Sequence, residues 1–302
     1  MTPVTASAPG SVMVIGEHAV VLGAPSLVAA IDQRAEVTVE ALEDNKVEIF
    51  SEIAAPLETH LRALPMIGPY RYLTAAIKEL GVERGVRITT KSQIDPTMGL
   101  GSSAAVTIAA IGALARMLGR EIDVHRTALS IVRDIQGRGS GADLAASLHG
   151  GLVGYQLEEP AGTVARFDAM PVPPTLALKY VGYKTPTGEV LEQVAWAASK
   201  EPRYYSRVYE EMRLCSEAGI ESAKAGRWAA LAAHLDAYQN LLEALGVSDE
   251  NLEELVFDAR MKGAMAAKIS GSGLGDCVLA FGSVPEGFTP AGLAGEGLVI
   301  HG

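Results

Sequence analysis

The sequence predicts an α+β protein built in layers and divided into two domains. Three observations predict it: short β-type runs near the N-terminus, a strand that feeds a glycine-serine turn and then a long apolar helix, and a proline-rich stretch followed by a mostly helical region. The first strands are "VMVIG" (12–16), "AEVTVEAL" (35–42) and "KVEIFS" (46–51), whose alternation and β-branched content suit antiparallel pairing. A helix over 70–80 precedes "GVRITTKSQI", a strand that delivers the chain into "DPTMGLGSS". An apolar helix over 104–118, uncharged before Arg116, and another over 123–135 lead to a second glycine-rich turn, "QGRGSGADLAAS". Pro171, Pro173 and Pro174 mark the domain boundary, which divides the chain into 1–165 and 166–302. Beyond it come the strand "LALKYVGYK" (176–184), helical spacing over 204–245, and a third turn, "SGSGLGDC", between helix and strand.

Composition narrows the function. The chain has 302 residues, 48% hydrophobic and 20% charged, enough for a sizeable core. A net charge of −11 argues against nucleic acid or an anionic membrane as partner, since both need clustered Lys and Arg. The longest apolar run, 104–115, is too short to span a bilayer, and the first residues lack the pattern of a secretory leader. Cys215 and Cys277 lie far apart with no CxxC or Cys/His spacing, so neither a disulfide framework nor a zinc site is expected and a reducing cytoplasm fits. The apolar helices after Tyr204 suit either a homodimer interface or a core.

The glycine turns carry the chemistry. At Gly99 and Gly101 the chain gives up conformational entropy just before Ser102 and Ser103. Either a serine caps a core helix, or the helix N-terminus offers its N–H groups to an anion, most often a phosphate. Asp143 in "GSGADLAAS" is likewise either a turn residue or a carboxylate placed for proton transfer.

Together with "APGSVMVIGEHAVVLG" (8–23), the loops at 99–105, 137–146 and 268–277 resemble those of the GHMP kinases, the superfamily of galactokinase, homoserine kinase, mevalonate kinase and phosphomevalonate kinase. The resemblance implies the two-domain GHMP kinase fold, with an N-terminal ATP-binding domain, a C-terminal domain and the active site in the cleft between them. It also implies ATP-dependent, Mg²⁺-assisted phosphoryl transfer to a small molecule, a reaction that asks for donors around the phosphates and a positioned nucleophile. By resemblance Gly99, Leu100, Gly101, Ser102, Ser103 and Ala104 hold ATP, with the Ser103 hydroxyl on Mg²⁺, and Asp143 orients or deprotonates the attacking oxygen. Glu17, His18, Ser140, Gly141, Thr185, Ser270, Gly271 and Gly273 are expected on the acceptor side.

The motifs divide over the acceptor. "GEHAVVLG" looks like mevalonate kinase. The compact "TMGLGSS", Leu144 after Asp143, "GLGDC", and Val132 where mevalonate kinases tend to carry a metal-binding Glu look like phosphomevalonate kinase. The larger number of features sets the expectation: 5-phosphomevalonate to 5-diphosphomevalonate, with mevalonate kinase as the alternative. A phosphorylated acceptor calls for basic groups, and Arg138 and Lys184 are the candidates, acting with Asp143 as the catalytic set. Ser11 stands where the family's first motif normally has Lys, so the charge comes from Lys184, Arg138 or Lys268, or Asp143 works with Mg²⁺ alone. That substitution also fits a non-catalytic sensor of the same fold, against which Ser103 and Asp143 argue, and a decarboxylase of the superfamily is disfavoured by the context of its aspartate.

Overall fold

The computed structural model describes residues 2–137, 139–158 and 164–301. The N-terminal β-runs become β1 (Val4–Ile15), β2 (Ser26–Ala41), β3 (Lys46–Ser51) and β4 (Leu57–His60). Then follow α1 (Arg71–Glu79), β5 (Val86–Ser92), α2 (Ser102–Leu118), α3 (Val124–Gln136), α4 (Ala142–His149), β6 (Leu152–Glu158) and β7 (Val164–Ala169). The remainder comprises β8 (Leu176–Lys184), α5 (Thr187–Lys200), α6 (Pro202–Lys224), α7 (Trp228–Leu245), α8 (Glu250–Met261), β9 (Ala266–Ser270), β10 (Gly275–Phe281), β11 (Thr289–Ala291) and β12 (Val299–His301).

Two sheets organise these elements. The first runs β12-β1-β2-β5-β3-β4, with β6 and β7 joined to it through β2. Its length explains the branching: over 16 residues β2 pairs with β1, while Ser26–Ala29 also meet β6 and Ala35–Ala41 meet β5. All pairings are antiparallel except β3 with β5. The second sheet, β11-β8-β10-β9, is antiparallel throughout. Helices α2 and α4 pack on β1 and β2, and α7 and α8 on β9.

The apolar run of α2 is explained by its place. From Ala104 to Ala115 it is buried on nearly every side, which is why no charge occurs before Arg116. One core continues from Ala6 and Val12 of β1, through Ile108 and Ile111 of α2, to Leu235 of α7 and Leu279 of β10. The last strand returns to the first sheet, where Val299–His301 pair with Thr5–Ser7 and Arg34 donates to the Glu296 and Gly297 carbonyls. Among the described residues no helix is long and apolar enough to cross a membrane. Cys215 and Cys277 are free thiols, as their separation predicts.

Candidate active site

The glycine-serine turn before α2 is built by backbone conformation. Gly99 and Gly101 have φ of 71° and 67°, a left-handed region that L side chains rarely adopt. Gly101 is the N-cap of α2 and no side chain caps the helix, so Ser102 and Ser103 open the helix instead of capping it. The capping alternative therefore fails, and the first-turn N–H groups have no acceptor within the helix. Ser103 is exposed. Contact with β1 fixes the loop: the Ser11 N–H donates to the Leu100 carbonyl at 3.0 Å. A β-carbon at Gly101 would collide with Ser11 Oγ, and one at Gly10 would lie 2.6 Å from the Leu100 oxygen.

Asp143 stands on the first turn of α4, after Gly141 with φ of 84°. The turn is held from behind, since Tyr155 donates its hydroxyl to the Ser140 carbonyl at 2.5 Å and His125 Nε2 lies 3.0 Å from the Gly141 oxygen. Ser11 Oγ donates to Asp143 Oδ1 at 3.2 Å. The Asp143 side chain is open to solvent on one side and walled by protein on the others. The protein around its carboxyl displaces part of the solvent and raises its pKa above the ordinary value; the Ser11 hydrogen bond and the nearby Lys184 charge oppose the rise, and Asp276 adds to it. Lys184, at the end of β8, puts Nζ 3.0 Å from Asp276 Oδ1. Ser11, Gly99, Asp143, Lys184 and Asp276 thus converge from five separate stretches of chain. Arg138 lies outside the described residues.

The "GEH" of the first motif is bolted to the second sheet. Lys268 Nζ donates to Glu17 Oε1 and to the Ile269 carbonyl, with Lys268 0% and Glu17 3% exposed. Burial raises the Glu17 carboxyl and lowers the Lys268 ammonium, and each opposes the other's shift through their pairing. Tyr238 donates its hydroxyl to the Glu17 carbonyl at 2.7 Å. His18, at φ of 61°, donates from Nε2 to the Ser272 carbonyl at 2.8 Å, an assignment that follows because a carbonyl can only accept. Burial lowers its pKa, which favours the neutral ring. Ser270 Oγ donates to the Met13 carbonyl at 2.9 Å and Thr185 Oγ1 to the Leu274 carbonyl at 2.6 Å. So Glu17, His18, Ser270 and Thr185, expected on the acceptor side, use these polar atoms to join the first, second-sheet and third loops to one another.

The third turn is built largely of positive-φ backbone. Gly271, Gly273 and Gly275 have φ of 112°, 80° and 129°, and Leu274 and Asp276 share the left-handed region at 51° and 69°. A β-carbon at Gly273 would collide with the Val247 carbonyl, which accepts from the Leu274 N–H at 2.8 Å. Among the described residues the non-glycine positive-φ positions are His18, Leu274 and Asp276, all in the two loops that the His18–Ser272 hydrogen bond ties together. Strain of this kind persists where surroundings over-determine it, commonly at functional sites. Sequence reasoning missed Asp276 as a partner of Lys184 and Ser11 as a donor to Asp143; the quoted "GLGDC" and "APGS" contained both residues, with nothing local to pair them.

Comparison with known proteins follows the same lines. The description "GHMP kinases N terminal domain" matches residues 69–151, "GHMP kinases C terminal" matches 220–286, and "Galactokinase galactose-binding signature" matches 1–41. The mevalonate kinase of Pyrococcus furiosus is 32% identical over 305 residues, covering 92% of this chain and 88% of its own. Other relatives at 30–32% identity bear the same name. Among solved structures, a mevalonate kinase superposes with a TM-score of 0.78 at 20% identity, covering 97% of this chain and 99% of that one. The phosphomevalonate kinase of Streptococcus pneumoniae, in complex with phosphomevalonate and AMPPNP, gives 0.75 at 19%, covering 93% and 92%. At such identities both structures speak for the fold alone.

The relatives correct the expected acceptor. Three of the features that favoured phosphomevalonate kinase have structural surroundings of their own: Leu144 is 2% exposed within the core, Val132 lies under Gly139, where a β-carbon would come within 2.9 Å of its Cγ1, and Asp276 is tied to Lys184. Lys184, expected beside an acceptor phosphate, faces the Asp276 carboxylate.

Proposed function

The chain belongs to the GHMP kinase family, and from that premise we propose that it transfers the γ-phosphoryl group of ATP to the 5-hydroxyl of mevalonate. The observation that carries this reading is 32% identity to a mevalonate kinase across 92% of the chain.

The residues around α2 fit a nucleotide. Two left-handed glycines leave room where side chains would intrude, and an uncapped helix N-terminus presents its donors. In this reading residues 1–165 form the ATP-binding domain, and 166–302 bring Lys184 and the third turn to the cleft. Gly99, Leu100, Gly101, Ser102, Ser103 and Ala104 hold the phosphates, and the Ser103 hydroxyl would hold Mg²⁺. When bound, ATP supplies the phosphoryl group and Mg²⁺ neutralises its charge. Ser11 donates to one carboxylate oxygen of Asp143, which fixes the side chain and leaves the other oxygen to accept the proton of the acceptor hydroxyl. The protein around the Asp143 carboxyl raises it above its ordinary value, which strengthens it as a base. His18 and Glu17 support this site from behind, the Ser272 and Lys268 contacts fixing the loop that follows β1.

A coupled ADP-release assay with ATP and Mg²⁺ tests the reading, run in parallel on mevalonate and 5-phosphomevalonate. Turnover on mevalonate is expected. Turnover confined to the phosphorylated compound, or to neither, refutes it.

A further inference from the structure

A buried carboxylate beside a phosphate loop demands an explanation, because the loop's own ligand is anionic. Asp276 is 3% exposed and sits where the β8–β10 register breaks. Pairing proceeds regularly from Phe281–Leu176 to Cys277–Tyr180, and then Gly275 stands opposite Lys184. Four steps of β8 therefore face two of β10, an irregularity of the kind that re-aims a side chain. The residue at the break is Asp276, held at φ of 69°. Its Oδ1 meets Lys184 Nζ at 3.0 Å and its Oδ2 lies 3.5 Å from Ser272 Oγ.

The two glycine loops make room for this carboxylate. A β-carbon at Gly99 would lie 2.5 Å from Asp276 Oδ1 and 3.3 Å from Lys184 Nζ, and one at Gly271 would lie 2.8 Å from Asp276 Oδ2. The Lys184 side chain remains 33% exposed. The ammonium meets Asp276 as an ion pair on one side, which leaves its exposed side for another anion. We propose that Asp276 is a positioning residue that holds the Lys184 ammonium over the phosphate loop at Gly99, where Lys184 stabilises the charge of the phosphoryl group in transfer. This rests on the phosphoryl-transfer reading above. The carboxylate gives the long lysine a fixed place, and the exposed side of the ammonium supplies the positive charge that Ser11 does not. It also accounts for glycine at 99 beyond the needs of the turn.

The test uses Lys184→Met, Asp276→Asn and the double variant of the full chain. Asn suits the left-handed backbone at 276 at least as well as Asp does, so this change removes charge without disturbing φ. Unchanged thermal unfolding is the control for folding. Lys184→Met is expected to lower kcat by ~10²–10³, the loss typical of one transition-state donor. Asp276→Asn is expected to lower kcat by roughly tenfold with KM for mevalonate little changed, as partial loss of such a donor. In the Lys184→Met background the second change should cost nothing further, because Asp276 acts through Lys184. Parent-like kcat in Asp276→Asn, or a full additive loss in the double variant, overturns the proposal. Should the parent release no ADP with mevalonate, the acceptor reading fails, and the pair is judged by titration with fluorescent mant-ATP and mant-ADP. Both single variants should then lose the parent's preference for the triphosphate, and a preserved preference refutes the pair.

Discussion

Replacing Lys268 by Met leaves Glu17 as an unpaired carboxylate in the interior. Lys268 is 0% exposed, Glu17 is 3% exposed, and Nζ lies 5.8 Å from the Tyr238 ring centroid, so water cannot take over the lost charge without opening the joint between the first motif and β9. Removing one member of a buried pair costs about 3–5 kcal/mol, against a total stability on the order of 5–15 kcal/mol. The pH dependence has a definite sign. Burial already raises the Glu17 carboxyl above its ordinary 4.5, and Lys268 opposes the rise; without Lys268 the folded-state value climbs further. A carboxyl whose folded pKa exceeds its unfolded one binds more protons when folded, so stability falls as pH rises between the two values. The deficit of Lys268→Met should be small below 4.5 and grow to its full size above the raised folded value. Urea unfolding at pH 5 and pH 8, followed by tryptophan fluorescence, measures it. Adding Glu17→Gln to Lys268→Met removes the stranded charge and should recover most of the loss at pH 8. A single variant within about 0.5 kcal/mol of the parent at pH 8, the scatter of ordinary surface changes, would refute the reasoning, as would a double variant no better than the single.

Two further outcomes follow from the site. Gly101→Ala forces a β-carbon into Ser11 Oγ at a left-handed φ, whereas Gly119, at φ of 63°, has nothing within 4 Å. Both should lose ~1–2 kcal/mol of stability from the backbone, but only Gly101→Ala should lose most of its turnover, since it displaces Ser11 from Asp143 and Leu100; equal turnover in the two variants contradicts the contact. Asp143→Asn should lower kcat by ~10²–10⁴ while mant-ATP affinity stays within a factor of about two of the parent. In the parent, activity should disappear as pH falls through a value above the ordinary 3.8, because the enclosed carboxylate must be ionised to act; an acid limb at or below 3.8 would show that Asp143 is not the titrating base.

The elements that were legible in the sequence carry their periodicity within themselves. "KVEIFS" and "LALKYVGYK" coincide with β3 and β8. Serines at 102 and 103 look like caps for a helix over 104–118, but Gly101 takes that position and the helix opens at Ser102. Residues 26–34 gave no alternation because Ser26–Ile31 are buried on both faces, with β1 on one edge and β6 on the other. β12 pairs with a strand almost 300 positions earlier, which no local pattern can announce. The same holds inside the site. Asp143 is visible from its own turn, whereas the partners of Glu17, His18 and Ser270 lie more than 250 residues away. Polar residues in a motif look equally suited to ligand or to protein until the long-range partner is known.

The misread acceptor has the same origin. The loop sequences look like reports on the substrate, yet Leu144 answers to the core beneath α4 and Asp276 answers to Lys184. Charge also bears on the question. A phosphorylated acceptor adds two or more negative charges to a cleft that already holds Asp143 and Asp276 and would receive the phosphates of ATP. Lys184 has one positive charge, which Asp276 meets at 3.0 Å and which the phosphoryl group in transfer would use as well. A second phosphate would need a cation beyond Lys184. The choice of an unphosphorylated acceptor therefore rests on 32% identity to a mevalonate kinase across 92% of the chain, and the parallel assay on the two compounds decides it.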